Sequence, residues 1–523
     1  MQETVKVGFD ESIIEKLRNA FTSMDCVYTE AMQNARRANA TRVDFRTTET
    51  GILTIRDNGD GISNLQDFLT LAGSGWNKQT IEKEGAFGMG SFAMLYACKY
   101  IIVASQGQRF FGETRTILNG HPINLDHSDV KEGTMITMTI DGLPENKAFF
   151  ELISALATGF LIDVFVNGAQ CEQPHRLNDD YVDIGVGKAI IPCMRDNIQS
   201  SRSSGSTLLY FQGLRVHKQD CEFTPYTIVH LNEQLFEVRM PDRDVLIDQK
   251  KQNKLIKEKL THTMIAFLRS KKVELSSAEF ATNYYERMCT WGCLYLLNDV
   301  CFVPKQALFK VTESPFCERS YMDDCFTEEL SIHRNDIRKI ITLPSYADEE
   351  SVGLWAYAYH TEALCYETDS LDKGHWLHSH ITVLEEISVS VVNKKSEAMF
   401  NGNWVSMFCV FGDSVLMDGP LGSVEITDDI VYYNETMFIS NDFTDGDAIN
   451  KANSFTNNDN FDESAFNTEV QIFSAFLTRH NGNTLDAFKS VLDNSFVGGL
   501  ELTGKQFKVV FHATGLEVEE IAA

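Results

Sequence analysis

The segment VYTEAMQNARRANATRVDFRTTETGILTIRDNGDGI, residues 27–62, sets the architecture of the first part of the chain. Apolar residues at helical spacing predict a helix over Met24–Ala38. Two strands are predicted next, over Arg42–Arg46 and Gly51–Arg56, joined by a short polar turn. The second strand runs directly into a glycine-rich sequence that starts at Asp57. This order predicts a helix beside an antiparallel pair of strands.

The alternation of helices and strands continues to about residue 145. A helix is predicted over Gly88–Cys98, and strands are predicted over Lys99–Ser105, Arg109–Thr116 and Thr134–Ile140. Together these elements predict an antiparallel sheet with helices on one face, which is an α/β sandwich.

Three further regions follow this sandwich. Residues 146–275 mix helix and strand and end in a basic helical stretch, which predicts a second α/β domain. Residues 276–440 have weaker patterns and predict an acidic α+β region. The polar run Asn441–Asn467 is typical of a surface loop or linker, and a helix and strand region is predicted after it. The expected fold class is α/β (α+β), with domains at 1–145, 146–275, 276–440 and 441–523.

The net charge of −28 is concentrated in the second half of the chain. Residues 276–523 contain 15 Lys and Arg against 39 Asp and Glu, whereas residues 151–275 contain 16 of each. Such an acidic surface repels phosphate backbones. Nucleic-acid binding is therefore disfavoured, and it would have to use the first half.

The sequence also predicts a cytoplasmic protein without a membrane span. A spanning helix needs about 20 apolar residues, and the best candidate, Phe149–Val166, is interrupted by Glu151 and Asp163. The first ten residues carry neither a basic region nor an apolar run of the kind found in secretory signals.

Glu30 and Asn34 form the first of four short motifs that carry chemistry. Their i, i+4 spacing puts a carboxylate and a carboxamide on one face of the predicted helix. A carboxylate there can polarise a water for attack on a terminal phosphate, and an amide oxygen can ligate Mg²⁺. The spacing alone is also compatible with an ordinary solvated helix face.

The second motif is the run Asp57-Asn-Gly59-Asp-Gly61-Ile62 at the end of a strand. A carboxylate in that place can accept a hydrogen bond from the exocyclic amine of adenine, and glycines let the backbone approach the base. The fourth motif, Gly133-Thr134, opens a strand and offers a hydroxyl to Asp57 or to a water beside the base. Taken singly, these motifs fit common turns equally well.

The third motif is a glycine-rich run that precedes a predicted helix. Glycines at a helix start expose backbone N–H groups and the positive end of the helix dipole to phosphates. A dinucleotide-binding interpretation is disfavoured because the preceding residues 80–84 are polar and do not form a parallel-strand pattern. The candidate contacts in this run are Gly85, Phe87, Gly88, Met89 and Gly90.

The four motifs, in this order, resemble the GHKL superfamily of ATPases, which includes gyrase, the ninety-kilodalton heat-shock chaperones, histidine kinases and MutL. The resemblance covers about residues 1–145 and implies a Bergerat-type ATP pocket with ATP and Mg²⁺ as ligands. The heat-shock chaperones are the most similar group. The run Leu71–Lys78 resembles their lid entrance and adds Ser74 and Lys78 as nucleotide contacts.

This resemblance implies a role for each motif residue. Glu30 is implied as the general base, Asn34 as the Mg²⁺ ligand, Asp57 as the adenine reader and Thr134 as its support. Residues 73–90 are implied to be a mobile lid whose glycines turn around the phosphates. One departure is Arg37, where many relatives carry an acidic residue, and this side chain is expected either near phosphate or directed outward.

A weaker resemblance extends into the second domain. Leu235–Gln249, followed by a basic helix, resembles the chaperone middle-domain loop whose arginine senses the terminal phosphate, and Arg243 holds the matching position. The alternative is a surface loop with salt bridges among Asp242, Arg243 and Asp244.

Three functions are compatible with such a pocket. The first is a dimeric, ATP-driven conformational machine that acts on a protein partner, as in chaperones or phage rIIA-type proteins. The second is a DNA-processing ATPase resembling MutL or a type II topoisomerase subunit, although no nuclease or toprim-like carboxylate cluster is apparent in residues 276–523. The third is an interaction module that binds ATP with little turnover, against which Glu30 argues.

Overall fold

The computed structural model describes residues 23–71, 90–195, 207–216, 226–239, 243–317, 331–337, 339–345, 347–441, 443–455, 461–482, 484–494, 502, 504–512 and 515–521. The chain divides into two compact units, Met1–Leu268 and Arg269–Ala523. The first unit contains the four motifs and the loop of Arg243.

The first helix within the described residues ends at a sequence that favours a helix stop. This helix, α1, covers Asp25–Arg37 and is followed by Asn39 with a φ of +56°, a left-handed conformation that asparagine tolerates at helix ends. The nitrogens of Asn39 and Ala40 donate back to the carbonyls of Arg36 and Ala35. The chain then turns into the first strand.

An eight-stranded sheet forms the centre of the first unit, with the order β5-β4-β3-β6-β2-β1-β7-β8. Its neighbours are antiparallel except for β1 and β7, which are parallel. The strands are β1 Arg42–Thr47, β2 Ile52–Asp57, β3 Tyr100–Ser105, β4 Gln108–Glu113, β5 Asp126–His127, β6 Thr134–Thr139, β7 Asp163–Val166 and β8 Ala169–Gln170. The predicted antiparallel sheet is confirmed, and it extends beyond the domain boundary expected at residue 145.

Helices α1, α2 and α4 contribute to one core with this sheet, as buried residues from all three lie in a single cluster with buried strand residues. Tyr28 of α1, for example, contacts Phe45 of β1 and Phe149 of α4 edge to face. The helical segments are α2 Gly90–Ala97, α3 Thr114–Leu118 and α4 Asn146–Ala157, with a 3₁₀ turn at Leu65–Leu69. The strand predicted over Arg109–Thr116 is wrong at its end, because Thr114 donates its hydroxyl to the Cys98 carbonyl at 2.5 Å and starts α3.

A second, five-stranded sheet with the order β12-β11-β13-β10-β9 follows in the same unit. Its strands are β9 Val182–Asp183, β10 Gly187–Ile190, β11 Thr207–Phe211, β12 Leu214–Val216 and β13 Thr227–Leu231, with a 3₁₀ turn at Pro192–Met194. The long helix α5 covers Gln249–Glu274, close to the basic helical stretch expected from the sequence.

The second unit has mixed α and β structure around its own core. Its helices are α6 Ser277–Trp291, α7 Val352–His360, α8 Glu463–His480 and α9 Thr484–Asn494, with 3₁₀ turns at Leu294–Leu297, Lys305–Ala307, Arg334–Asp336, Trp376–His380 and Gly446–Lys451. Its strands are β14 Phe302–Pro304, β15 Leu308–Phe309, β16 Ser331–His333, β17 Ile340–Thr342, β18 Leu364–Tyr366, β19 Ile381–Val383, β20 Ser388–Val392, β21 Ser396–Asn401, β22 Ser406–Phe411, β23 Ser414–Gly419, β24 Gly422–Ile426, β25 Ile430–Tyr433, β26 Thr436–Ile439, β27 Gln506–His512 and β28 Gly515–Ile521.

These strands form five small sheets, ordered β14-β16, β15-β18-β17-β19, β20-β23-β24, β21-β22-β26-β25 and β27-β28. The surface loop expected over Asn441–Asn467 is wrong for Gly446–Lys451, which is a buried 3₁₀ turn. Asn450 accepts a hydrogen bond from the Cys317 nitrogen at 2.9 Å, so this segment belongs to the core of the unit. Lys451 of the same turn is buried and lies 3.4 Å from the carboxylate of Asp429, so its charge is paired inside the protein.

Candidate functional site

Asp57 is the last residue of β2, which lies between β1 and β6 in the first sheet. Its Oδ1 accepts hydrogen bonds from the backbone nitrogens of Gly59 at 2.9 Å and Thr134 at 3.3 Å. Burial raises the pKa of the Asp57 carboxyl, and these hydrogen bonds oppose the rise. The structure therefore brings Asp57, Gly59 and Thr134 together, as the motifs require.

Ser105, the last residue of β3, connects the remaining parts of this corner. Its fully buried hydroxyl accepts from the Ile62 nitrogen and donates to the Gly133 carbonyl, both at 2.8 Å. Gly61 has a φ of +75°, and a Cβ there would lie 2.6 Å from the Ser105 hydroxyl, so only glycine fits. Sequence reasoning missed Ser105, although its register opposite Thr134 follows from the pairing of β3 with β6.

The loop after β2 also contacts the end of α1. The Asp60 nitrogen donates to the Ala38 carbonyl at 2.7 Å, and a Cβ on Gly59 would lie 2.4 Å from the same oxygen. This close approach holds the helix that carries Glu30 and Asn34 beside the strand end that carries Asp57.

Glu30 and Asn34 lie one turn apart on α1. Glu30 is 4% exposed and Asn34 is half-buried. A Cβ on Gly90, the first residue of α2, would lie 2.3 Å from Oε2 of Glu30. The carboxylate therefore lies against the start of α2, where helical N–H groups lack intrahelical partners and attract anions.

Arg243 lies in a loop whose two sides are joined by backbone hydrogen bonds. The nitrogen of Arg239 donates to Val245 at 2.8 Å, that of Ile247 donates to Glu237 at 2.9 Å, and a bridge pairs Val238 with Leu246. Arg243 itself has a φ of +56°, a left-handed conformation that is costly for arginine. The loop thus holds the backbone of Arg243 in a conformation that a non-glycine residue disfavours.

The Arg243 side chain points into the protein and reaches Glu30. Its Nε donates to Oε1 of Glu30 at 3.0 Å, its Nη1 donates to Oε1 of Gln212 at 2.9 Å, and only 5% of the side chain is exposed. Its Nη2 is buried and has no hydrogen-bond partner within the described residues. The alternative of a surface salt-bridge cluster is wrong for Arg243, which is buried and pairs with Glu30. Asp244 pairs with Arg239 at 2.7 Å, and Asp242 lies outside the described residues.

Arg37 is 9% exposed, which contradicts the outward-directed alternative for this side chain. Its position in the last turn of α1 places it two turns from Glu30. Sequence reasoning treated it as a departure from a familiar pattern but had no means of predicting its burial.

Several candidate residues fall outside the described part of the chain. They are Ser74, Lys78, Gly85, Phe87, Gly88 and Met89, together with the rest of the expected lid before Gly90. Their roles stay predictions.

The residues of α1 fit a magnesium ion that is bound mainly by the nucleotide. The described residues contain no cluster of three or more His, Cys, Asp or Glu side chains that could hold a metal by themselves. Mg²⁺ commonly takes one or two protein ligands plus substrate phosphates. The half-buried Asn34, whose side chain makes no hydrogen bond to a described residue, suits that arrangement.

The comparisons with known proteins agree with this geometry. A model of the histidine kinase-, DNA gyrase B- and HSP90-like ATPase family matches residues 22–132, which hold the first three motifs and end directly before the fourth, Gly133-Thr134. This match supports the GHKL superfamily and suggests ATP binding by this part of the chain. A specific similarity to heat-shock chaperones or phage rIIA-type proteins stays a prediction.

No curated protein matches the chain. In the part of the chain that the structure describes, none of the helices combines the length and the apolar character that crossing a bilayer requires.

Replacing Asp57 by asparagine tests the adenine contact. In Asp57→Asn the amide oxygen still accepts from Gly59 and Thr134, but an NH₂ donor then faces the exocyclic amine of adenine. We expect ATP and ADP affinity to fall about 10- to 100-fold, since an unpaired buried donor costs about 1–3 kcal/mol. Isothermal titration calorimetry measures the affinities.

Asp44→Asn is the matched control, because Asp44 lies on neighbouring strand β1 and pairs with Arg42. We expect it to bind nucleotide as the wild type does. Equal affinities for Asp57→Asn and the wild type would remove Asp57 from the nucleotide site.

Proposed function

We propose that this chain is a GHKL-type ATPase in which Glu30 activates the attacking water and Arg243 contacts the terminal phosphate. The observation that carries the proposal is the buried contact between these two side chains. They are 213 residues apart in sequence, and the resemblance to heat-shock chaperones implies a role at the terminal phosphate for both. Their meeting at 3.0 Å supports a shared site.

The contact also suggests how the binding of ATP, but not of ADP, would make Glu30 available as a base. In the pair, Oε1 of Glu30 accepts from Nε of Arg243, so this oxygen is engaged and does not face a water molecule. A triphosphate offers Arg243 a competing anion with oxygens suited to bidentate recognition. When Arg243 turns to the terminal phosphate, Glu30 is released to accept a proton from water.

The Nη2 of Arg243, which has no hydrogen-bond partner within the described residues, supports this exchange. A buried N–H group without a partner is costly, and most such groups are satisfied in native proteins. A phosphate oxygen beside Nη2 would supply the missing acceptor. ADP lacks the terminal phosphate and would leave the Glu30 pair in place.

The remaining roles follow the same assignment. Asp57, supported by Thr134, reads adenine, and Gly59, Gly61 and Ile62 line the base. Gly85, Gly88 and Gly90, with Phe87 and Met89, turn around the phosphates, and Ser74 and Lys78 belong to the lid entrance. A magnesium ion bound by Asn34 and the phosphates would neutralise charge that develops on the nucleotide.

At the level of the whole chain, we propose a homodimeric conformational machine of the heat-shock-chaperone type that acts on a protein partner in the cytoplasm. Residues 1–145 bind ATP, and residues 146–275 transmit the state of the nucleotide through Arg243. The acidic residues 276–523 support a protein partner rather than a nucleic acid. Measuring ATP turnover with and without duplex DNA distinguishes a protein partner from a nucleic-acid partner. Stimulation by DNA would favour the DNA-processing alternative.

The test of the base is Glu30→Gln. Glutamine keeps an oxygen that accepts from Arg243 and so preserves the hydrogen bond, while it removes the negative charge of the pair. We expect ATP affinity within about threefold of wild type, and turnover lowered at least about 100-fold, since general-base catalysis contributes at least that factor. Phosphate release measures turnover, and an unchanged rate would exclude Glu30 as the base.

The test of the arginine uses Arg243→Ala and Arg243→Lys. Lysine keeps a charge for Glu30 but lacks the planar fork that binds two phosphate oxygens. We expect both variants to bind ATP and to hydrolyse it at least about tenfold more slowly than the wild type.

Arg239→Lys is the control for this loop, because Arg239 is largely exposed and pairs with Asp244 at the surface. We expect it to leave turnover unchanged. If both Arg243 variants hydrolyse ATP at the wild-type rate, the contact between Arg243 and Glu30 has only a structural role.

A further inference from the structure

Gln212 lies at the tip of the hairpin that joins β11 and β12, yet only 3% of it is exposed. Its φ is +52° and that of Gly213 is +79°, the left-handed pair of a type I′ turn. Asparagine or glycine is the usual residue at the first of these positions, because other side chains pay a steric cost there. A buried glutamine in this conformation therefore calls for a specific reason.

The contacts of Gln212 supply that reason. Its side-chain Oε1 accepts from Nη1 of Arg243 at 2.9 Å, and its Nε2 donates to Glu233 at 3.3 Å. Its backbone carbonyl accepts from Nε2 of Gln33 at 2.9 Å. Asparagine would suit the turn better but is one methylene shorter, so it would not reach Arg243.

Gln33 links this hairpin tip to the helix of the general base. It is fully buried on α1, three residues after Glu30, and its own oxygen accepts from Nε of Arg36 at 3.0 Å. The links form a closed ring from Glu30 along the helix to Gln33, then to Gln212, to Arg243 and back to Glu30. Leu214, two residues after Gln212, packs in the core of the first sheet and anchors the hairpin there.

We propose that Gln212 is a positioning residue that sets the direction of Arg243, and this inference rests on the proposed ATPase function. Gln212 holds the Nη1 side of the guanidinium, so that Nε faces Glu30 and Nη2 remains for the terminal phosphate. Its amide is neutral, so it orients the arginine without competing electrostatically with the phosphate, as a carboxylate would. The second domain thereby determines how well the site distinguishes ATP from ADP.

The experiment compares Gln212→Asn and Gln212→Met in the full chain. Asparagine preserves the turn conformation, but its side chain is too short to reach Arg243. Methionine preserves the length of the side chain but lacks the amide oxygen that accepts from Arg243. We expect both to lower kcat about tenfold, to leave ADP affinity within twofold and to reduce the ratio of ATP to ADP affinity. Gln234→Asn, an exposed position after β13, serves as the control and should match the wild type.

A double-mutant cycle with Arg243→Lys separates positioning from a merely structural role. If Gln212 acts through Arg243, Gln212→Asn should cause little further loss of turnover in the Arg243→Lys background. Additive losses, or wild-type kcat and nucleotide preference in both single variants, would overturn the inference. Absence of ATP turnover in the wild type would instead contradict the proposed function, so the two failures are distinguishable.

Discussion

The buried ion pair between Glu30 and Arg243 joins a helix of the first sheet to a loop that follows the second sheet, and the candidate site depends on it. Removing two charges from water costs several kcal/mol per ion, and their attraction compensates only when geometry and further hydrogen bonds are good. Here Gln212 satisfies one more nitrogen of the guanidinium, while Nη2 stays without a partner in the described residues. A buried arginine with one unpaired nitrogen contributes poorly to stability. A bound anion would supply the acceptor that this nitrogen lacks.

The antiparallel pairing of β2, β3 and β6 positions the residues proposed to bind adenine. Because β2 and β3 both pair with β6, the ends of these strands meet at one corner of the sheet, where Asp57, Ser105 and Thr134 lie together. The hydroxyl of Ser105 then fixes the glycine loop after β2 against the start of β6. Hydrogen bonds fix this corner, whereas the proposed exchange requires Arg243 to change partners.

Local patterns made the first sheet and its motif residues predictable. Helical spacing identified α1, strand alternation identified β1 and β2, and the glycine-rich end of β2 indicated Asp57. Contacts between distant segments were not predictable in this way. Gln212 and Gln33 are 179 residues apart, and nothing in either local sequence indicates that a hairpin tip is buried against a helix. The same limit explains Gly446–Lys451, where polar composition indicated exposure but the segment is buried, and Arg37, for which the local sequence left both orientations open.

A structure of the chain with a non-hydrolysable ATP analogue and Mg²⁺ would show whether Arg243 exchanges Glu30 for the terminal phosphate. We expect that in this structure Arg243 leaves Glu30 and that its Nη2 lies within hydrogen-bonding distance of the terminal phosphate, while Asp57 contacts the exocyclic amine of adenine. A bound nucleotide with the Glu30–Arg243 pair still at 3.0 Å would contradict the exchange of partners. A nucleotide bound away from Glu30, Asn34 and Asp57 would contradict the site itself.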